Sequence, residues 1–514
     1  MVKLEWSSPV RKAGDRLLPL IPNEIYLEIL IYFKPVVSES WSLDALAPES
    51  SRHTDSRNLA LVCRFFSSIM IPWLYEHLVF TRGTRREHSY LPLCRNILGG
   101  NETAMLLAEH VKKCSIRSWG SDGDDSTAKW AAKEMISIYF DAMKNMKSLR
   151  ALTLLNCAIT PSMLKKLKDI PNLTNLTIDT CKLANNVQEK HLRNIRTLKL
   201  KSFSFHSLTL NDIAGVGQIF PHIDLDSLLE LEATHTLFFD EIQLPSHPIP
   251  LESLDVDMIT NPLHVETLLR HTPFLKKLRL CIPSKSTPNT KLKLLPDALP
   301  LLEEISAPLD ALQNIIPGRP ISSITINNPL GRYYPTMGTA EVELFKQSAG
   351  VISYLKISLQ FYLALPLADH FPNVQVLFVQ IWNYDGPTNI PWPETPVVDM
   401  LNYFVNSRPC FPHLRSLELE INRATMFYEF FDLKTQHEWI TEILLPKFPL
   451  LHRVQFSAYF FWTYSPSENK WVPSTPDASV IAVALHALPT ASGFVDYDGC
   501  IEAAVRKCEG IRFL

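Results

Sequence analysis

The chain is 514 residues long, enough for about three ordinary domains or one long repeat array. Apolar residues make up 46% and charged residues 20%, which leaves ample material for a core. The 50 Lys and Arg against 53 Asp and Glu give a net charge of −3, which argues against the basic stripe of a dedicated nucleic-acid binder.

Glycine is sparse at 16 residues and proline plentiful at 38. Loops that cradle phosphates or dinucleotides need glycine where backbone approaches ligand, so this balance points away from them. Nine cysteines are present (Cys63, Cys94, Cys114, Cys157, Cys181, Cys281, Cys410, Cys500 and Cys508), an odd number with no CxxC spacing. That pattern argues against a disulfide framework or zinc site and for a reducing compartment, cytoplasmic or nuclear. Residues 1–6 lack the apolar region of a signal peptide. No uncharged apolar run reaches the roughly 18 residues of a membrane span.

After an extension over 1–16, the first predicted element is a helix started by Pro22, with Ile25, Ile29 and Phe33 at helical spacing. Pro35 stops it, and 36–57 read as a polar loop. Asp55 or Ser56 is positioned to cap a second helix, with Leu59, Val62, Cys63, Phe66 and Ile69 on one side. Pro72 is expected to open a third segment carrying Trp73, Leu74 and Leu78. Read from the residues alone, these stripes make a small three-helix cluster that buries its own apolar faces.

The ordered combination of Ile21-Pro22-Asn23-Glu24-Ile25, then Val62-Cys63-Arg64 with Phe66, then Pro72-Trp73-Leu74-Tyr75, resembles the F-box of many fungal proteins. The resemblance covers residues 17–80. It implies docking onto the adaptor subunit of an SCF-type cullin ubiquitin ligase. The positions matching the family's adaptor contacts are Ile21, Pro22, Ile25, Leu59, Val62, Phe66 and Leu74. Two departures stand out: Phe66 replaces the usual Trp, and 34–57 is longer than the usual link.

From 81 to 514 a phrase recurs. Leu149-x-x-Leu152-x-Leu154-x-x-Cys157 is repeated as Leu173-x-x-Leu176-x-Ile178-x-x-Cys181, 24 residues later, within the leucine-rich-repeat interval of about 20–29. Further copies begin at Val111, Ile195, Leu228, Leu251, Leu275, Leu302, Ile321, Ile352, Val374, Leu414 and Leu451, several of them preceded by proline. The first, fourth and sixth positions are apolar, and the residues between alternate outward. No unit can bury its apolar edge alone, so neighbours must stack into a parallel sheet with helices on the outer side. The predicted fold is thus a small all-α module followed by an α/β leucine-rich-repeat-like solenoid. Thirteen strands at about 4.8 Å would span an inner arc of roughly 58 Å. The competing reading is an unrelated α/β fold with leucine-rich strands. An F-box followed by such repeats resembles the fungal F-box proteins with degenerate leucine-rich repeats.

Two inserted stretches are rich in aromatics: 381–393, with Trp382, Tyr384 and Trp392, and 459–471, with Phe460, Phe461 and Trp462. Trp and Tyr dominate binding hot spots, which makes Trp382, Tyr384, Trp392 and, near 333, Tyr333 candidate substrate contacts. Packing against the solenoid is the alternative reading for these, and the expected one for Phe460 and Phe461. A helix-like run over 478–488 is expected to close the array.

No catalytic motif accompanies these elements. There is no GxSxG elbow, HExxH pair or phosphate loop. Gly215-Val216-Gly217 reads as a turn, and His264 and His271 as a lone pair. No catalytic or metal-binding residues and no cofactor are expected. The chain reads as a non-enzymatic substrate receptor holding an adaptor, through it a cullin, and an unknown protein target, with neither nucleic acid nor membrane as partner. The alternative is a repeat scaffold or ligand-binding protein with no role in ubiquitin transfer. A pocket gathering His235, Asp240, Glu241 and Cys281 would instead indicate an enzyme.

Overall fold

The computed structural model describes residues 12–13, 16–17, 21–34, 51–81, 90–119, 126–207, 217–235, 244–257, 259, 262–281, 292, 294–295, 297–327, 343–364, 370–381, 411–421, 433–457 and 460–474. The chain divides into two compact units, Met1–Leu251 and Glu252–Leu514.

The first unit opens with an antiparallel pair, β1 (Lys12–Ala13) and β2 (Arg16–Leu17). Three helices follow: α1 (Asn23–Leu30), α2 (Ser51–Val62) and α3 (Arg64–Tyr75). Pro22 is the N-cap residue of α1, just outside the first turn. The second helix begins at Ser51, earlier than the expected cap at Asp55 or Ser56. Ser56 is instead wholly buried, its hydroxyl donating to the Phe33 carbonyl at the end of the first helical segment. The break between α2 and α3 falls at Cys63, which is extended. Pro72 therefore lies inside α3 and opens no third segment. Ser68 lies one turn before it and donates its hydroxyl to the Phe65 carbonyl.

These helices have a core of their own. Leu30, Phe65, Ile69 and Met70 are buried in it, and Tyr26, Leu27, Leu59, Cys63, Phe66, Trp73 and Leu74 pack partly against it. Tyr26, Phe65 and Phe66 meet edge to face, with ring centroids 5.1 to 5.9 Å apart. Glu76 joins the helices to the sheet that follows. Its carbonyl accepts from the amides of Lys112 and Lys113, and its carboxylate pairs with Lys34 at 2.9 Å and Lys112 at 3.3 Å. Burial raises the Glu76 carboxyl, but the two ammonium groups outweigh burial and hold it below the usual range.

The sheet of the first unit is parallel throughout: β3 (His77–Thr81), β4 (Lys113–Arg117), β5 (Ala151–Leu155), β7 (Asn175–Asp179), β9 (Ser202–His206) and β10 (Glu230–Ala233), in that order. Leu78, which the sequence placed on a helix, lies on β3. The phrase Tyr75-x-x-Leu78-x-Phe80 is thus a copy the pattern search passed over, with Leu78 and Phe80 buried. The copy expected at Ile195 is displaced. Ile195–Thr197 is a 3₁₀ turn, and β9 follows the phrase Leu200-x-x-Phe203-x-Phe205, all three positions buried. Across the sheet Leu152, Leu176, Phe203 and Leu231 stand in register, forming one buried row. Each such side chain contributes roughly 1.5–3 kcal/mol relative to exposure.

A second feature repeats with the strands. Ser118, Asn156 and Thr180, each the residue after a strand, have φ of 59°, 51° and 47°. This left-handed residue turns the chain off the ladder, while its amide still donates to the neighbouring repeat. Cys157 and Cys181 follow, at the position the motif fills with Asn or Cys. Each thiol lies 3.2–3.3 Å from two strand carbonyls. Just beyond, β6 (Ala158–Ile159) and β8 (Lys182–Leu183) pair in a small parallel sheet.

The helices α4 (Leu91–Leu98), α5 (Glu102–Ala108), α6 (Ser126–Met143), α7 (Pro161–Leu167) and α8 (Glu189–Leu192) return the chain between strands. Thr160 and Pro161 illustrate the start signal: the Thr160 hydroxyl accepts from the Met163 amide, and Pro161 sits where no amide is needed.

The second unit has eight parallel strands among its described residues: β11 (Ser253–Val256), β12 (Lys277–Leu280), β13 (Glu304–Ala307), β14 (Ser323–Ile326), β15 (Tyr354–Ser358), β16 (Val376–Ile381), β17 (Ser416–Ile421) and β18 (Arg453–Ser457). Each coincides with a predicted copy. The expected insertion over 459–471 is instead an antiparallel hairpin, β19 (Phe460–Ser465) and β20 (Lys470–Ser474), paired onto β18. It satisfies an edge that would otherwise present unpaired backbone. Trp462 is buried there, and its indole N–H donates to Gln436 at 2.8 Å. Both units are therefore α/β ladders of leucine-rich-repeat type, with the repeat's apolar positions buried on one face and the intervening, mostly half-buried residues on the other, the open face.

The turns of the second unit interlock around Arg319, which is 1% exposed. Its guanidinium donates to the carbonyls of Ala298, Ile315, Pro317 and Leu295. Its backbone carbonyl accepts from Ala349 and from the Ser348 hydroxyl. Gly350 lies against the same turn, where a Cβ would fall 2.6 Å from the Pro320 carbonyl carbon, so only glycine fits without movement.

Candidate functional site

Two kinds of surface stand out among the described residues. Among the described residues no three His, Cys, Asp or Glu side chains gather so as to hold a metal ion. No described helix is long and apolar enough to cross a membrane. His235 is buried in the first unit and Cys281 half-buried in the second, while Asp240 and Glu241 lie outside the described residues. His271 is half-buried, with Nδ1 2.9 Å from the Thr267 carbonyl.

The first surface belongs to the N-terminal helices. The seven predicted adaptor positions separate into two groups. Pro22, Ile25 and Val62 are exposed, Ile25 by 49% and Val62 by 64%. Leu59, Phe66 and Leu74 are half-buried and pack on the helices' own core, and Ile21 is half-buried. Exposed Ile29 lies one turn from Ile25, and Ile31 and Leu61 add to the apolar surface. Ile31 and Leu61 were not singled out from the sequence. Five of the thirteen exposed large hydrophobics among the described residues, Ile25, Ile29, Ile31, Leu61 and Val62, fall within residues 25–62. Scattered apolar residues are ordinary, and this concentration along the helices makes them a candidate surface.

The second kind of surface is the open face of each sheet. In the first unit a row of small polar side chains runs Ser115, Thr153, Thr177, Ser204 and ends at Glu232. The adjacent row carries Arg117, Leu155, Asp179 and His206. His77 Nε2 lies 2.7 Å from the Ser115 hydroxyl, and His206 Nε2 lies 3.4 Å from Glu232. Burial pushes the Asp179 carboxyl up to about 6; His206 and Thr180 oppose the shift and Glu232 adds to it. A raised carboxyl favours the protonated form in the folded state. Its contribution to stability is therefore complete below the ordinary value of 3.8 and is lost as pH rises through about 6. The Asp179→Asn variant is expected to gain on the order of 2 kcal/mol over wild type at neutral pH and nothing near the ordinary carboxyl pKa. Urea unfolding across that pH range checks this, and parallel pH profiles for the two proteins would refute it.

In the second unit the open face is more highly charged. One row reads Thr325, Lys356, Phe378, Glu418, Gln455 and Phe461. Lys356 Nζ sits 3.9 Å above the Phe378 ring and 3.6 Å from Glu420, which also accepts from Gln380 at 2.8 Å. The Arg453 guanidinium lies 5.0 Å from the Phe461 centroid. Phe461, expected to be a capping residue, is half-buried on this row, whereas its neighbour Trp462 points into the core. Nothing is described of the side-chain surroundings of Phe460. The candidate substrate contacts Trp382, Tyr384, Trp392 and Tyr333, and the closing helix over 478–488, lie outside the described residues.

No protein-family model matches the chain. No curated protein matches it either. Among solved structures, it is similar to TLR13 in its complex with ssRNA13, with 12% identity over 63% of this chain and 42% of that one, at a TM-score of 0.31. It is also similar to Toll in the glycosylated Toll–Spätzle complex of Drosophila, at 12% identity, 68% and 52% coverage, and a TM-score of 0.21. A further Toll–Spätzle structure gives 12% identity, 66% and 50% coverage, and a TM-score of 0.22. The chain thus spans 42% to 52% of the length of these chains. The fold rests on the strand register and the buried rows above.

Proposed function

We propose that this chain is the substrate-recognition subunit of an SCF-type cullin ubiquitin ligase. The N-terminal helices would dock the adaptor, and through it a cullin, while the open faces of the ladder hold a target protein. The observation that carries this reading is the apolar surface of Pro22, Ile25, Ile29, Leu61 and Val62, exposed on helices whose core is already filled by other residues. The F-box that residues 17–80 resemble would supply the partner for that surface. Such a subunit does no bond chemistry. It raises the effective concentration of target lysines near the ubiquitin-carrying enzyme. The free thiols of Cys63, Cys94, Cys114, Cys157, Cys181 and Cys281 accord with a reducing compartment, cytosol or nucleus.

A second reading, a repeat scaffold with no role in ubiquitin transfer, draws support from Leu59, Phe66 and Leu74, which the helices use for their own packing. Co-expression of the full chain with a fungal adaptor subunit separates the two. A stoichiometric complex supports the receptor. A folded chain that purifies alone supports the scaffold, with the exposed helices serving another partner.

A further inference from the structure

The net charge of −3 conceals a local excess of cations. From Lys144 to Lys201 there are twelve Lys and Arg against three Asp and Glu. The fold places part of that excess along the edge where the strands of the first unit begin. The residue entering each strand holds the next repeat by its carbonyl: that of Lys112 accepts from the Arg150 amide, that of Arg150 from Thr174, and that of Thr174 from Lys201. These four residues thus stand side by side on consecutive repeats. Lys112 is paired with Glu76. Arg150 and Lys201 are exposed, as are Lys147 and Arg196 just ahead of them in the chain, and no carboxylate pairs with any of these four among the described residues. The acids close by are taken: Asp169 by Lys144 at 3.0 Å, Glu189 by Arg193 at 2.7 Å and Asp224 by Lys199 at 2.8 Å. Asp179 is buried at the opposite end of β7. Two exposed acids without a cation flank the stretch, Glu109 ahead of β4 and Glu230 at the start of β10.

We infer that this edge binds an acidic segment of the bound protein, with one carboxylate on Arg150 and another on Lys201. Sign and width together select the occupant. Arg150 and Lys201 stand at the entries to β5 and β9 with β7 between them, a separation of roughly 10 Å at about 4.8 Å per strand. An extended peptide advances about 3.3 Å per residue, so acids three residues apart meet both cations. The planar guanidinium of Arg150 suits a carboxylate, which it can hold through two N–H groups. A basic segment would find no free acid between the two cations. A nucleic-acid strand, charged at every nucleotide, would run past this width onto Glu109 or Glu230. The inference rests on the target-holding half of the proposed function and is independent of the adaptor half.

The test is fluorescence anisotropy on the full chain with labelled oligoglutamate, oligolysine and oligothymidylate of equal length. Oligoglutamate is expected to bind, more weakly as salt is added, and oligolysine not. The Arg150→Gln, Lys201→Gln double variant is expected to bind oligoglutamate about tenfold more weakly. Glutamate at the same two positions should abolish binding, with melting temperatures unchanged because both side chains are exposed. The Arg95→Gln, Lys133→Gln variant removes the same charge from exposed positions on α4 and α6 and should bind as wild type does. No binding of oligoglutamate, equal losses in the two glutamine double variants, or tighter binding of oligothymidylate through Arg150 and Lys201 would overturn the inference. Adaptor co-purification of the same proteins keeps the two readings apart. A chain that binds oligoglutamate through Arg150 and Lys201 but no adaptor sinks the receptor reading alone, whereas one that binds adaptor but no oligoglutamate sinks this one alone.

Discussion

Replacing Arg319 with methionine is expected to cost about 3 kcal/mol or more, the largest single-residue effect on stability anticipated in the second unit. Methionine is similar in length, so little packing volume is lost. What disappears is the set of donors to the carbonyls of Ala298, Ile315, Pro317 and Leu295. A buried carbonyl left without a donor costs roughly 1–3 kcal/mol, and four are affected together. Burial depresses the guanidinium's affinity for its proton, with Asp297 opposing. The group nevertheless stays charged at any ordinary pH, since an arginine starts so high. Arg319→Lys should fall between the two, because an ammonium cannot reach four carbonyls spread around a planar fork. Urea unfolding followed by tryptophan fluorescence measures the difference. A methionine variant within about 1 kcal/mol of wild type would show that water replaces the guanidinium and that the interlock is not structural.

The second large effect concerns binding. The Ile25→Asp, Val62→Asp double variant is expected to lose the adaptor while keeping its fold, because both side chains are half or more exposed. Each apolar group buried on docking is worth roughly 1.5–3 kcal/mol, and each introduced carboxylate must be desolvated as well. The affinity should therefore drop by at least about a hundredfold. Leu59→Asp makes the contrast. Leu59 lies only three residues before Val62 but packs on the module core, so a carboxylate there should unfold the helices and abolish docking indirectly. Circular dichroism and melting curves distinguish the two outcomes. A double variant that still co-purifies at wild-type stoichiometry would remove this surface from the account.

The contrast between Leu59 and Val62 also shows what a sequence can carry. Both belong to one apolar stripe, and the stripe was legible. Which residues the helices consume and which they leave exposed depends on how α3 packs after the break at Cys63, and no spacing rule records that break. The ladder was far more legible, because its apolar positions alternate with period two and recur at a repeat interval. It failed where chemistry departed from the pattern. Phe203 and Phe205 take leucine positions in β9, and the neighbouring aliphatic run Ile195, Leu198 and Leu200 offered a better-looking match. The first strand hid because its phrase begins at Tyr75, still inside α3. On the open face, the residues between leucines could be named in advance, but not their pairings. Lys356, Phe378 and Glu420 meet across strands separated by insertions of different lengths, so their register emerges only on folding.

The most direct measurement is hydrogen exchange of the full chain with and without a fungal adaptor subunit. The account predicts new protection in peptides covering Pro22–Ile31 and the segment around Leu61 and Val62, with the strands of both ladders unchanged. Protection confined to the ladder, or none anywhere, would contradict the claim that the N-terminal helices are the docking module.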